Sequence, residues 1–212
     1  GVLGWTSRGD LAKQMTLADQ SRRSVAEALA ATDIDKLAAN PQLLQQAVAG
    51  GRAAFRVHCV QCHGSGAAGS QTLGYPNLND DDWLWGGDLA AIEHTITHGV
   101  RQPGGDALRQ SAMPAFEGIL DDAQIAAVAN HVRSLGGKAA PDAVGAELYA
   151  NNCASCHGAG GEGNRALGAP RLNDAIWLYG SSSEQIARQI RQPRMGAMPT
   201  FGERLDAATI RM

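Results

Sequence analysis

Cysteine is scarce in this chain. There are 4 in 212 residues, and all of them stand in two short pairs, Cys59/Cys62 and Cys153/Cys156. No spare thiol is left over for a disulfide framework. Aromatic residues make up only 5% of the sequence, too few for a core built on rings. No run of 18 consecutive apolar residues occurs, so no segment of the sequence reads as a membrane span. Basic runs are also absent and the formal net charge is −3, which argues against nucleic acid as a partner. The sequence opens on Gly1-Val2-Leu3-Gly4-Trp5 with no initiator methionine and no signal peptide. It closes on Met212 inside a helical pattern, and both ends read as cut from a longer polypeptide.

Each cysteine pair is followed directly by a histidine: Cys59-Val60-Gln61-Cys62-His63 and Cys153-Ala154-Ser155-Cys156-His157. C-x-x-C-H is the attachment signal of c-type haem. Two thiols one helical turn apart form thioethers with the two porphyrin vinyl groups, and the adjacent imidazole reaches the iron. A zinc site assembled from two C-x-x-C pairs needs them about 15–20 residues apart; here they are 94 apart. A thioredoxin-like dithiol needs a βαβ pattern, which the flanking sequence lacks. The expected cofactors are two covalently bound haem c groups, and their attachment makes the compartment read as periplasmic.

Superposing the second motif on the first at an offset of 94 aligns far more than cysteines. Gly74 meets Gly168, Pro76 meets Pro170, Leu78-Asn79-Asp80 meets Leu172-Asn173-Asp174, and Trp83-Leu84 meets Trp177-Leu178. Ile92 and Ile96 meet Ile186 and Ile190. Beyond Ile96 the register slips, and Met113-Pro114-Ala115-Phe116 matches Met198-Pro199-Thr200-Phe201 at an offset of 85. This is a tandem duplication, with nine extra residues in the first copy before its methionine. The expected divisions are a helical arm at 1–50, a first domain at 51–138, and a second at 142–212 whose closing helix is truncated.

The pattern predicts an all-α fold. In the arm, Leu11, Met15, Leu17, Val25 and Leu29 recur at roughly helical spacing. A short helix follows near Asp33–Ala39, and Asn40-Pro41 opens another running to about Val48. Gly50-Gly51 reads as punctuation before helix 51–62, which leads into the first motif as helix 145–156 leads into the second. Asp88 and Ser182 are predicted N-caps. A closing helix spans about Asp122–Leu135, and its counterpart starts at Leu205-Asp206.

His63 and His157 are the expected proximal iron ligands, and the carbonyls of Pro76 and Pro170 are candidates to hold their second ring nitrogens. Met113 is expected on haem 1 and Met198 on haem 2, because a soft thioether favours ferrous iron and raises the potential. Met195 rivals Met198 but lacks the following proline; His94 and His98 rival Met113, although helical geometry points both away from the Ile92/Ile96 face. The indole N–H groups of Trp83 and Trp177 are candidate donors to haem propionates, as are the guanidinium groups of Arg101, Arg191 and Arg194. A simple turn role for the two prolines and a solvated role for the arginines stay open.

With the Gly-x-Pro-x-Leu and Met-Pro elements added to C-x-x-C-H, each half resembles a class I cytochrome c domain. The whole chain resembles the dihaem subunit of cbb3-type cytochrome c oxidases, through Pro76-Asn77-Leu78-Asn79-Asp80-Asp81-Asp82-Trp83-Leu84-Trp85-Gly86-Gly87, Thr95-Ile96-Thr97-His98-Gly99, Met113-Pro114-Ala115-Phe116 and the opening Leu3-Gly4-Trp5. The resemblance implies an electron-transfer subunit that is not itself a catalyst. It would pass electrons from soluble or membrane-bound cytochrome c donors to the oxygen-reducing subunit of a terminal oxidase. Its partners would be the other oxidase subunits, a soluble cytochrome c donor, and the membrane through an anchor absent from this sequence, with Trp5 near the headgroups. The implied location is the periplasmic face of the bacterial inner membrane. Alternatives are a free-standing dihaem carrier, the cytochrome subunit of a periplasmic dehydrogenase, and, as an enzyme, a dihaem peroxidase, which needs an open iron position.

Overall fold

The computed structural model describes residues 7–103 and 109–212. Trp5 therefore lies outside the described residues. Among the described residues there are nine α-helices, in chain order α1 Ser7–Ala31, α2 Pro41–His58, α3 Val60–His63, α4 Leu89–His98, α5 Asp122–Leu135, α6 Ala143–Asn152, α7 Ala154–His157, α8 Ser183–Arg191 and α9 Ala207–Ile210. A 3-10 turn, Ile34–Ala39, links α1 to α2. Among the described residues there is no β-strand, only isolated bridges. The fold is all-α.

Packing divides the chain into two units, one made of the residues up to Val57 together with Gly202–Met212, the other running from His58 to Phe201. This division does not follow the repeat boundaries read from the sequence.

The first unit holds α1, the 3-10 turn, α2 and α9. Its core is Leu29, Leu37, Leu43, Ala47 and Ala208, with Val25, Ile34, Leu44 and Met212 packed around it. Only the C-terminal half of the α1 stripe is buried; Leu11, Met15 and Leu17 stay exposed. Helix α2 runs unbroken through Gly50-Gly51, where the sequence reads a break. The glycines are there for contact: a Cβ on Gly51 would overlap the Met212 carbonyl, and one on Gly50 the Met212 thioether. The Arg211 guanidinium donates to the carbonyls of Leu29, Ala30 and Thr32 at 3.1, 2.7 and 3.0 Å, using acceptors freed at the end of α1. The closing helix of the second repeat thus packs with the lead-in helix of the first.

The second unit is organised by α5. It starts at a capping box in which Asp121 accepts from the Gln124 N–H and the Gln124 side chain accepts from Asp121 N–H. It packs on α6 and α8 through Ile125, Val128, Ala129 and Val132, against Tyr149, Ile186, Ala187 and Ile190, with Phe116 and Leu120 completing the core. Each fully buried aliphatic or aromatic side chain here contributes about 1.5–3 kcal/mol. Helices α5 and α6 approach so closely at Gly145 that a Cβ there would overlap the Ala127 carbonyl. Gly145 and Gly51 are equivalent positions at the offset of 94, and Ala127 and Met212 correspond in the closing helices. The same crossing therefore occurs twice, each time between a lead-in helix and the closing helix of the other repeat. Helix α6 is covered by α5, the closing helix of the first repeat, and not by the closing helix of its own repeat.

Candidate haem sites

Both motifs form a single turn of helix set off from the lead-in helix by a kink at the first cysteine. Cys59 has φ −113° and ends the run of α2, and Cys153 has φ −119° and caps α6. The lead-in helices read as continuous to 62 and 156 are thus each broken three residues early. The turn closes through Cys62 N–H to Cys59 C=O at 3.2 Å and His63 N–H to the same carbonyl at 2.9 Å; the second copy has 3.1 and 2.9 Å. The cysteines are free thiols, the first of each pair half-buried and the second exposed. Burial pushes the Cys153 thiol up to about 11, with the neighbouring Cys156 adding to the effect, and raises Cys59 for the same reasons. After each histidine a glycine with positive φ, Gly64 at 77° and Gly158 at 82°, turns the chain away, a conformation that glycine adopts without strain.

The loops that follow are held identically. Gly69 N–H donates to His63 C=O and Gly163 N–H to His157 C=O; Leu78 N–H donates to Ala67 C=O and Leu172 N–H to Gly161 C=O. This brings Pro76 C=O to 3.3 Å from His63 Nδ1 and Pro170 C=O to 3.0 Å from His157 Nδ1. A carbonyl only accepts, so Nδ1 carries the proton and Nε2 keeps its lone pair for a metal. His157 is buried, which lowers its pKa, while the bond to Pro170 opposes that shift. The residues fit the cofactor: two unbridged thiols one turn apart and an imidazole in the metal-ligating tautomer, present twice. The Tyr149 hydroxyl donates to Gly158 C=O at 2.8 Å and pins the second turn to α6.

The loops that carry the methionines are bonded across the repeats. Phe116, just after Met113-Pro114, donates its N–H to Ile190 C=O of α8 at 3.1 Å; Phe201, just after Met198-Pro199, donates to Ile96 C=O of α4 at 3.0 Å. Ile96 and Ile190 are equivalent, so each methionine loop is bonded to the helix of the opposite repeat. Met113 packs against the cluster that contains Tyr149, Ile186 and Ile190, with Cys153 also at its edge. Met198 exchanges two hydrogen bonds with Val100, both 2.9 Å. The same-repeat pairing, Met113 with His63 and Met198 with His157, is not the one these contacts favour. Met195 lies beside Met113, its Sδ accepting the Met113 N–H at 3.2 Å.

Trp177 is half-buried on the α5–α6–α8 cluster, but its indole N–H donates to Asp174 C=O at 3.1 Å. That local bond occupies the donor expected to face a propionate. Trp83 is half-buried and its ring lies against Gly87. Arg191 pairs with Asp122 at 2.7 Å, and Arg194 donates to Thr72 C=O at 2.8 Å with its guanidinium over the Tyr179 ring. Arg101 donates to the carbonyls of Ser111 and Gly196, and burial lowers its pKa. The rings of His94 and His98 are 4.5 Å apart, with His98 exposed on α4. Trp85 was not singled out from the sequence, yet it is buried against Gly168, with Arg109 stacked on its ring and donating to its carbonyl. Its signal was the match of Trp85 with Tyr179 at the repeat offset; Tyr179 lies against Gly74 in the same way.

The sequence model of the family described as cytochrome c oxidase, cbb3-type, subunit III matches residues 46–132 and again 140–212. The chain is 45% identical to the cbb3-type cytochrome c oxidase subunit CcoP of Cereibacter sphaeroides, over 100% of this chain and 74% of that protein. It is 46% identical to the cbb3-type cytochrome c oxidase subunit FixP of Azorhizobium caulinodans (100% and 72%), and 44% identical to FixP of Sinorhizobium medicae (100% and 73%).

Proposed function

Because the chain belongs to the cbb3-type cytochrome c oxidase subunit III family, we propose that its two haem c groups are held by exchanged ligand sets: His63 with Met198, and His157 with Met113. Cys59 and Cys62 carry the first haem, Cys153 and Cys156 the second. The protein is an electron-transfer subunit of the oxidase complex and works alongside the other oxidase subunits. Each haem supplies one iron that gains and loses a single electron.

The chain's residues ease that change. Pro76 and Pro170 hold each imidazole in one tautomer, so no proton needs to move when the iron changes charge. A methionine thioether as the second iron ligand would raise the potential relative to a bis-His site. Burial around Tyr149, Ile186 and Ile190 keeps water from the second haem, and a drier surround raises the cost of the ferric charge. The finer reading has electrons arriving from a soluble or membrane-bound cytochrome c donor, with the chain tethered by an anchor at the periplasmic face of the inner membrane. The haem motifs and the full-length similarity support that reading.

The observation that carries the exchange is the crossed pair of bonds, Phe116 to Ile190 and Phe201 to Ile96. The test removes one haem at a time. In the haem-loaded chain with Cys153 and Cys156 replaced by alanine, only the His63 haem remains. Met198→Ala is expected to abolish its red-end charge-transfer band of ferric His/Met ligation, and Met113→Ala to leave it. Loss of the band in the Met113 variant instead overturns the exchange.

A further inference from the structure

The two distal methionines are tied down by unlike partners. Met198 N–H goes to the Val100 carbonyl in a two-way bridge. Met113 N–H goes to the sulfur of Met195 at 3.2 Å, and a thioether is a weak acceptor. We infer that Met195 is a positioning residue for the distal ligand of the second haem: its thioether fixes the Met113 backbone and so sets the strength of that haem's methionine ligation. This rests on the reading that Met113 serves the haem held by His157.

Three further observations support it. The residues on either side of Met195 are both anchored. The Gln189 side chain grips the Arg194 backbone from both ends, donating to its carbonyl at 2.6 Å and accepting its N–H at 3.1 Å. On the other side, Arg101 donates to Gly196 C=O at 3.1 Å. Met195 is therefore presented by a fixed backbone rather than by a loose loop. It is also 40% exposed, more than core filling calls for. Finally, the position is where the duplicated segments part company. At the offset of 85 its counterpart is Gln110, whose side chain donates to Gln102 C=O. Among the described residues, only the loop carrying Met195 sends a side-chain acceptor to the opposite repeat's ligand, so the two haems differ in distal support although their ligand types agree.

The discriminating substitutions are Met195→Leu and Met195→Gln in the haem-loaded chain. Leucine fills similar volume and cannot accept; glutamine has similar reach and offers a carbonyl acceptor. The readouts are the midpoint potential of each haem by spectroelectrochemistry and the ferric charge-transfer band. Positioning through the acceptor predicts that leucine weakens the band and lowers the potential of the His157 haem alone, and that glutamine restores both. A packing role predicts the reverse order, with leucine silent and glutamine disruptive, and that result overturns the inference. Complete loss of the band in both variants makes Met195 itself the ligand and overturns it too. Met113→Ala separates the two levels. If it leaves the His157 haem unchanged, the ligand reading has failed; if it removes that band while both Met195 variants are silent, only the present inference has.

Discussion

Gly145→Ala is the substitution for which the structure and local propensity give opposite signs. In a helix interior, alanine is better than glycine by about 0.8–1.0 kcal/mol, so a free α6 would gain. In this fold the new methyl overlaps the Ala127 carbonyl and meets His131 Cβ at 2.9 Å. The first obstacle is backbone in the middle of α5 and cannot rotate aside. The helices must separate, loosening Ile125, Val128 and Tyr149, each at most 1% exposed. Overpacking costs about 1–3 kcal/mol; with a rigid obstacle the upper end applies. Set against the propensity gain, the net is a loss of about 2 kcal/mol. At about 2–4 °C per kcal/mol for a unit of this size, Tm should fall by about 4–8 °C. The assay is thermal unfolding of the haem-loaded chain by far-ultraviolet circular dichroism, with Val144→Ala as the neighbouring exposed control expected within about 0.5 kcal/mol of wild type. An unchanged or raised Tm in Gly145→Ala would refute the close crossing of α5 and α6.

Two other outcomes follow from the packing. Ile125→Ala removes a side chain 1% exposed at the centre of the α5–α6–α8 cluster and should cost about 2–5 kcal/mol; on heating, the absorbance of the His157 haem should change before that of the His63 haem, and simultaneous unaltered transitions would contradict the cluster's role. Asp206 caps α9 by accepting the Thr209 N–H at 2.8 Å, which holds its carboxyl below the usual aspartate range. A lowered folded pKa means the stabilisation is present above the unfolded value and disappears as pH falls through the folded one. Hydrogen exchange over residues 202–212 should therefore accelerate on acidification in the wild type and stay nearly level in Asp206→Asn; parallel profiles would dismiss the cap as the cause.

The sequence made the attachment turns legible because their chemistry is local. Two thiols and a histidine within five residues can do little else, and a proline thirteen residues on has the chain length to return its carbonyl to the ring. The caps at Asp88 and Ser182 were legible for the same reason: the acceptor and the N–H it satisfies lie three residues apart. The pairing of each methionine loop with the helix that holds it was not, because a duplication supplies two interchangeable copies of every part. Met-Pro-x-Phe is the same cue in both repeats, and nothing in it states which helix its phenylalanine N–H will find. Gly50-Gly51 misled in a related way. Read alone, paired glycines punctuate; here they are the smooth face against which Met212 packs. Trp177 shows the opposite failure, where a long-range role was expected and a bond three residues away claims the donor.

Chain entropy gives a reason for the exchange. The self-paired and exchanged arrangements bury the same kind of helix crossing, so the energies of contact nearly cancel and the connections decide. In the exchanged fold α5 and α6 form an antiparallel hairpin joined only by Gly136–Asp142. The cost of closing a loop grows as (3/2)RT ln n. Self-pairing would close two loops of about 55–65 residues, α2 to α5 and α6 to α9, whereas exchange closes one of about 7 and one of about 150, a difference of about 1 kcal/mol in favour of exchange. The short connection also makes α5 and α6 neighbours as soon as both form, before the distant α9 can compete for α6. Lengthening that connection removes the advantage, whereas the nine extra residues before Met113 lie within the long closure from α2 to α9, where the logarithm makes their cost less than about 0.1 kcal/mol. They leave its preference intact, and the second copy makes the equivalent bond, Phe201 N–H to Ile96 C=O, without them.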